Sequence, residues 1–129
     1  MTSDLKFEGL LVSEDVQILS GITRIMEDLS IQVDVCMLSS RASDLLEKRN
    51  IDLLVVDWDT TGGPEVLRIT RKNMGRRVTI AAVVAPGAVE ELALEAGADG
   101  VIYKPLTKIS KAEFHCHVYH RMVSVVCDE

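Results

Sequence analysis

Asp57 ends an apolar run, Leu53-Leu54-Val55-Val56-Asp57, and the loop Trp58-Asp59-Thr60-Thr61-Gly62-Gly63-Pro64 follows it. A short apolar run bounded by turn formers reads as a strand buried on both faces. A carboxylate at the carboxyl end of such a strand lies where open α/β sheets place their ligands. Asp is also a common turn residue, so position alone leaves a plain strand-ending role open. Two other groups favour chemistry. Val12-Ser13-Glu14-Asp15 follows the first apolar segment, and Lys104-Pro105 follows the last short one. Carboxylates that converge on one pocket repel each other unless a cation bridges them, and Mg²⁺ typically takes one or two carboxylates plus phosphate oxygens. A lysine opposite balances a phosphoryl group as a point charge. Asp57 as acceptor, Glu14, Asp15 and Asp57 as metal ligands, and Lys104 as counter-charge would suit in-line phosphoryl transfer to a carboxylate.

The elements that must position these groups alternate between strand and helix five times. Phe7 to Ser13 reads as a strand. Ile18, Leu19, Ile22, Ile25, Met26 and Leu29 have helical spacing within Val16 to Leu29. Ile31 to Leu38 alternates apolar and polar residues, the pattern of an edge strand with one face partly wet. Ser39 or Ser40 can cap a helix running to Arg49. Ile51 to Asp57 is the third strand. Pro64 suits the first turn of a third helix and Gly75 its end. Val78 to Val84 is a fourth strand, Ala88 to Ala96 a helix stopped by Gly97, and Val101 to Tyr103 a short fifth strand. A last helix spans about Ile109 to Val126. Five β-then-α units predict a doubly wound, five-stranded parallel sheet with five helices on its two faces. Strand order 2-1-3-4-5 would put the switch point between strands one and three, so the acids after those strands would share one crevice.

The chain has 129 residues, which suits a single domain with its core at about 7–126. The first six and last three residues lie outside the elements, where chain ends fray. A formal charge of −6 argues against nonspecific nucleic-acid binding, which needs a cationic surface. No segment approaches the ~20 apolar residues of a membrane span. Met1 to Lys6 lacks the basic and apolar regions of a secretory signal, and Cys36, Cys116 and Cys127 show no CxxC spacing, so a reduced cytoplasmic chain is expected.

With these residues in view, the sequence resembles the receiver domain of two-component response regulators, over about Phe7 to Val126. The most specific parts are Asp52-Leu53-Leu54-Val55-Val56-Asp57 and Glu95-Ala96-Gly97-Ala98-Asp99-Gly100-Val101-Ile102-Tyr103-Lys104-Pro105. The resemblance implies a flavodoxin-like fold, Mg²⁺-dependent phosphorylation of Asp57 by a histidine kinase or phosphotransfer protein, and a surface near strands four and five that signals to a downstream protein or fused output domain; the histidine-bearing last helix offers a separate reading as a homodimer interface. It implies no enzymatic turnover. The chain departs from the family pattern in one direction. Ser13 and Glu14 stand where the family has two adjacent acids. The family's hydroxyl residue at the end of strand four is here Val84, followed by Ala85. The family's switch aromatic falls on Val101, while Tyr103 sits one residue before Lys104, on the same strand face as Val101. The loop after Asp57 is shorter than usual. A hydrogen bond to a charged group is worth about 1.5–3 kcal/mol. A switch from 1:99 to 99:1 needs about 5.5 kcal/mol, so loss of the hydroxyl removes a substantial share of the driving force. A weakened switch is expected, and the alternative is a pseudo-receiver that binds partners without phosphorylation.

Other features carry plainer readings. Cys116 and His120 are four apart on the last helix and could clamp a soft metal. A packing helix, with Ile109, Ala112, Val118, Met122 and Val126 turned inward, is the simpler account. Trp58 reads as a loop aromatic over the sheet edge, and Asp59 as a loop cap rather than an addition to the pocket's charge. No GxGxxG, GxxxxGK[ST] or GxSxG occurs. A small Mg²⁺ phosphoesterase is chemically compatible with Asp57 but has little chain to build a substrate cap.

Overall fold

The computed structural model describes residues 7–127, so the expected fraying of residues 1–6, 128 and 129 lies outside the described range. Five strands, β1 (Phe7–Val12), β2 (Ile31–Cys36), β3 (Leu53–Asp57), β4 (Thr79–Val84) and β5 (Gly100–Tyr103), alternate with helices. The helices are α1 (Val16–Asp28), α2 (Ser39–Lys48), α3 (Gly63–Met74), α4 (Val89–Ala96) and α5 (110–127). All strand pairs are parallel, in the order β2-β1-β3-β4-β5. Fold class and strand order are as the sequence predicts.

Strand alternation divides the core in two. Leu10, Val12, Leu54, Val56, Ile80, Ala82 and Val84 pack under α2, α3 and α4. Leu11, Leu53, Val55, Ala81, Val83 and Ile102 pack under α1 and α5. The central strands β3 and β4 are buried at every residue, which is why they read as unbroken apolar runs. β2 lies at the edge. It ends at Cys36, and Val35, Met37 and Leu38 are exposed, so the apolar alternation expected to run inward to Leu38 reaches solvent instead.

Two helices differ from expectation. α2 starts from Leu38, whose extended backbone precedes it without any side-chain cap; neither Ser39 nor Ser40 caps it. α5 has three consecutive parts, Ser110–Phe114, a π-helical segment His115–Tyr119, and His120–Cys127. The π segment inserts extra chain into the turn and shifts the buried stripe. Phe114, Val118 and Met122 fill the core, whereas Ile109 and Ala112, expected to turn inward, are exposed.

Candidate functional site

The register of the sheet builds the site. Val12 pairs with Val56 and Asp57 pairs with Val83, so the next residue after β1, Ser13, falls beside Asp57. Side chains alternate across the sheet, which places Ser13, Asp57 and Lys104 on the face shared with α1 and α5. Backbone bonds fix the strand ends: Lys104 N–H donates to the Val84 carbonyl at 2.8 Å, and Trp58 N–H to the Val83 carbonyl at 3.0 Å. The Lys104–Pro105 peptide is cis. Gly62 turns the loop with φ +78°, and a Cβ on Gly63 would sit 2.6 Å from the Asp57 carbonyl oxygen. Glycine there lets α3 begin hard against the end of β3.

Asp57 is 2% exposed, and both its carboxylate oxygens have protein partners. Ser13 Oγ donates to Oδ2 at 2.8 Å. Lys104 Nζ lies 2.7 Å from Oδ1, which also accepts the Asp59 N–H at 3.1 Å. Lys104 is shared, since its Nζ stands 2.9 Å from Asp59 Oδ2. Burial pulls the Lys104 ammonium toward losing its proton, but the hydrogen bonds it donates to Asp57 and Asp59, with their charges, outweigh burial and hold its pKa above the ordinary lysine value.

The acids after β1 behave differently from Asp57. Glu14 accepts the Thr61 N–H on Oε1 at 3.0 Å, and its own N–H donates to Thr60 Oγ1 at 3.0 Å, so it braces the β3–α3 loop beside Asp57. Asp15 is the N-cap of α1, accepting from the Gln17 and Ile18 N–H groups at 2.9 and 3.4 Å. Among the described residues no group of three or more His, Cys, Asp or Glu could hold a metal. Glu14, Asp15 and Asp57 therefore do not form the expected three-ligand set, because Asp15 is committed to the helix cap. Mg²⁺ commonly takes only one or two protein carboxylates, with water and phosphate oxygens completing its shell. Asp57 and Glu14 are the two carboxylates left for that smaller requirement, and each is already held in protein hydrogen bonds. Cys116 and His120 likewise lack further metal ligands; His120 instead meets His115 edge to face, with ring centroids 4.7 Å apart.

Three of the expected switch positions, Val84, Val101 and Tyr103, lie on the opposite sheet face, so a hydroxyl at 84 would not face Asp57. Val84 is fully buried, and Val101 and Tyr103 pack half-buried against the same cluster. Ala85, just beyond β4, is exposed. Tyr103 hydroxyl donates to Glu90 in the first turn of α4. That hydrogen bond, followed by burial and the charges of Glu90 and Glu113, raises the phenol pKa above its ordinary value. Trp58 packs half-buried against the α2–α4 core cluster, as its plainer reading has it. Ser13 and Asp59 are the participants that sequence reasoning undervalued. Ser13 could have been found from the strand register, since it follows Val12 as Asp57 follows Val56. Asp59, read as a cap, adds its charge to the Lys104 pair.

No protein-family model matches the sequence, and no curated protein matches it. Solved structures do. The response regulator receiver domain protein (CheY-like) from Methanospirillum hungatei JF-1 has a TM-score of 0.79 at 20% identity, covering 95% of this chain and 98% of that one. The response regulator receiver domain protein from Clostridium thermocellum has a TM-score of 0.80 at 17% identity, with 95% and 99% covered. This chain has the fold of response regulator receiver domains. NtrX from Brucella abortus also matches, with a TM-score of 0.80 at 16% identity over 96% of this chain, which spans 29% of NtrX. In this receiver fold the crevice beside β1 and β3 holds Asp57, Lys104 and the Ser13 hydroxyl together.

Proposed function

We propose that this chain is a signal-transduction receiver domain that accepts a phosphoryl group on Asp57 and passes a conformational bias to a partner through a weakened switch. The observation that carries the reading is the Asp57 carboxylate at the carboxyl end of β3 with Lys104 Nζ 2.7 Å away. A carboxylate oxygen of Asp57 attacks the donor phosphorus, the bond to the donor breaks, and Lys104 moves its charge onto the phosphoryl oxygens. Mg²⁺, held by Asp57 and Glu14, would supply further neutralisation of that charge when bound. Ser13 releases Asp57 Oδ2 as the metal and phosphoryl group arrive. The donor is a histidine kinase or phosphotransfer protein, and the recipient a downstream protein, a second copy or a fused output domain, as the much longer NtrX chain suggests. The role is signalling in the cytoplasm rather than turnover of a substrate. Among the described residues no helix is long and apolar enough to cross a membrane.

Incubation with Mg²⁺ and an acyl phosphate, read by intact mass, tests the proposal. A single phosphoryl gain that disappears in Asp57→Asn is expected. No gain, or a gain that survives Asp57→Asn, overturns it. The second reading is a partner-binding module that needs no phosphorylation. It is favoured by the Ser13 hydroxyl on Asp57, where a second acid would help bind metal, and by Val84, whose side chain is buried on the sheet face turned away from Asp57. On that reading beryllofluoride leaves oligomeric state and partner affinity unchanged.

A further inference from the structure

The end of the sheet opposite Asp57 carries a second polar cluster that phosphoryl transfer does not use. Asp99, immediately before β5, accepts from Arg71 Nη2 at 2.6 Å and from the Ile80 N–H at 2.9 Å, and lies 3.1 Å from Arg121 Nε. Its carboxylate is thus met by two guanidinium groups. Arg71 is committed further to the chain, donating to the Gly97 and Val78 carbonyls at 2.9 and 3.0 Å. Arg121 is not. It reaches Asp99 through Nε, its side chain is 46% exposed, and its terminal nitrogens make no hydrogen bond among the described residues. Arg76 is exposed on the turn Gly75–Arg77, and no carboxylate lies within ion-pair reach of it among the described residues. Arg76 and Arg121 line a hollow of about 420 Å³ with Asp99, His120, Ser124 and Val125.

The charge balance there is opposite to that of the whole chain. Arg76 and Arg121 in the lining set two positive charges against the one negative charge of Asp99, a local balance of +1 before His120 is counted, and Arg71 pairs with Asp99 from outside the lining, on a chain of net charge −6. Arginine forks match the geometry of tetrahedral oxyanions and hold them by paired N–H donors. The Ser124 hydroxyl adds a neutral donor, and the volume falls within the ~300–1,000 Å³ of small-ligand sites. We propose that this hollow binds a phosphate-bearing small molecule, with Arg121 oriented by Asp99 and Arg76 closing on the anion. The site stands apart from Asp57 and does not depend on its phosphorylation.

Amide chemical-shift titration of the whole chain with inorganic phosphate, and then pyrophosphate, at ionic strength held constant with potassium chloride, tests this. Saturable shifts are expected at Arg76, Asp99 and Ser124, with a dissociation constant of about 1 mM or tighter. Arg76→Ala should weaken binding about tenfold, the loss of one charge-assisted contact. Arg24→Ala, on exposed α1 surface, should leave it unchanged, and so should Asp57→Asn. The variant's own amide spectrum shows whether it has folded, and Arg76→Gln repeats the test with a side chain of similar reach. Tighter binding of pyrophosphate than phosphate supports the site and assigns a diphosphate group; equal binding supports it and assigns a single phosphate. Shifts that never saturate, that centre on the Asp57 loop, or that Arg24→Ala reduces as much as Arg76→Ala overturn the proposal.

Discussion

Removing Lys104 should reveal how far Asp57 depends on it, and the structure sets the magnitude. Lys104→Met leaves the Asp57 carboxylate with the Ser13 hydroxyl and the Asp59 N–H as its donors, at 2.8 and 3.1 Å. Breaking a fully buried ion pair from one side costs about 3–5 kcal/mol. The Asp57 side chain is 3% exposed but that of Lys104 is 21% exposed, so water reaches the vacated space. The expected loss is therefore nearer the worth of one charge-assisted hydrogen bond, about 2–3 kcal/mol. Adding Asp57→Asn removes the stranded charge while keeping a similar shape, so the double variant should be more stable than the sum of the single effects predicts. The coupling should be about 1–3 kcal/mol, as for residues in direct contact. Asp59→Asn should cost no more than about 1 kcal/mol, because the Asp59 side chain is 61% exposed and its pair with Lys104 is screened. Urea unfolding of these proteins at pH 7 measures the cycle, and a 2 kcal/mol loss moves the midpoint by about 1 M for a domain of this size. A coupling below about 0.5 kcal/mol would mean that the two side chains do not meet in solution, and the account of the crevice given above would fail with it.

Val84→Thr should separate resting stability from switching. It buries a hydroxyl at a fully buried position, so urea unfolding should show a loss of about 1–2 kcal/mol. Phosphorylated or beryllofluoride-treated protein should then show the same change in amide spectrum as the natural chain, because residue 84 faces away from Asp57, and a larger change would show that it reaches the phosphoryl group. Alkaline pH tests the two raised pKa values. Lys104 and Tyr103 both bind their protons more tightly folded than unfolded, so their contribution is complete below the unfolded values near 10.5 and 10.0 and is lost as pH climbs through the higher folded ones. Unfolding midpoints should fall more steeply above pH 10 than those of the Lys104→Met, Tyr103→Phe variant, and parallel curves would refute the assignment.

The parts of this fold that the sequence makes legible are those governed by burial on both faces. β3 and β4 are covered by helices on each side, so every position is apolar and the strand ends are sharp. Asp57 and Lys104 are legible because each breaks such a run at its carboxyl end. Where one face meets water the signal weakens. β2 keeps an apolar alternation to Leu38, yet at the sheet edge nothing covers Val35 or Met37. Helix α5 misleads for a different reason. Its buried residues Ser110, Phe114, Val118 and Met122 recur every four positions, while Ala112 stands two positions from Phe114 on the other side and Ile109 precedes the first turn, so apolar type alone picks the wrong residues there. Asp59 depends on a third kind of information, the path of a loop that wraps back to put its carboxylate on Lys104 and its N–H on Asp57. Residue type alone does not encode that path.

The resting contacts of Ser13 and Tyr103 bear on the equilibrium of the proposed switch. With an acid in place of Ser13, the crevice would hold another negative charge next to Asp57, and the empty site would be strained by repulsion until a cation arrived. With serine, the same position donates a hydrogen bond, and Asp57 rests satisfied by Ser13, Lys104 and Asp59. The resting state is thereby stabilised, and any phosphoryl group must displace contacts already made. On the other face of the sheet, Val84 is packed in the core under α2, α3 and α4, and Tyr103 is tied to Glu90 at the start of α4. A nearly complete switch needs about 5.5 kcal/mol of differential binding. Displacing one charge-assisted contact at Asp57 takes about 1.5–3 kcal/mol of that. On the proposed reading, a domain so stabilised at rest moves only part of its population. Such a domain would bias a partner by degree, and its resting surface would carry much of its signalling role.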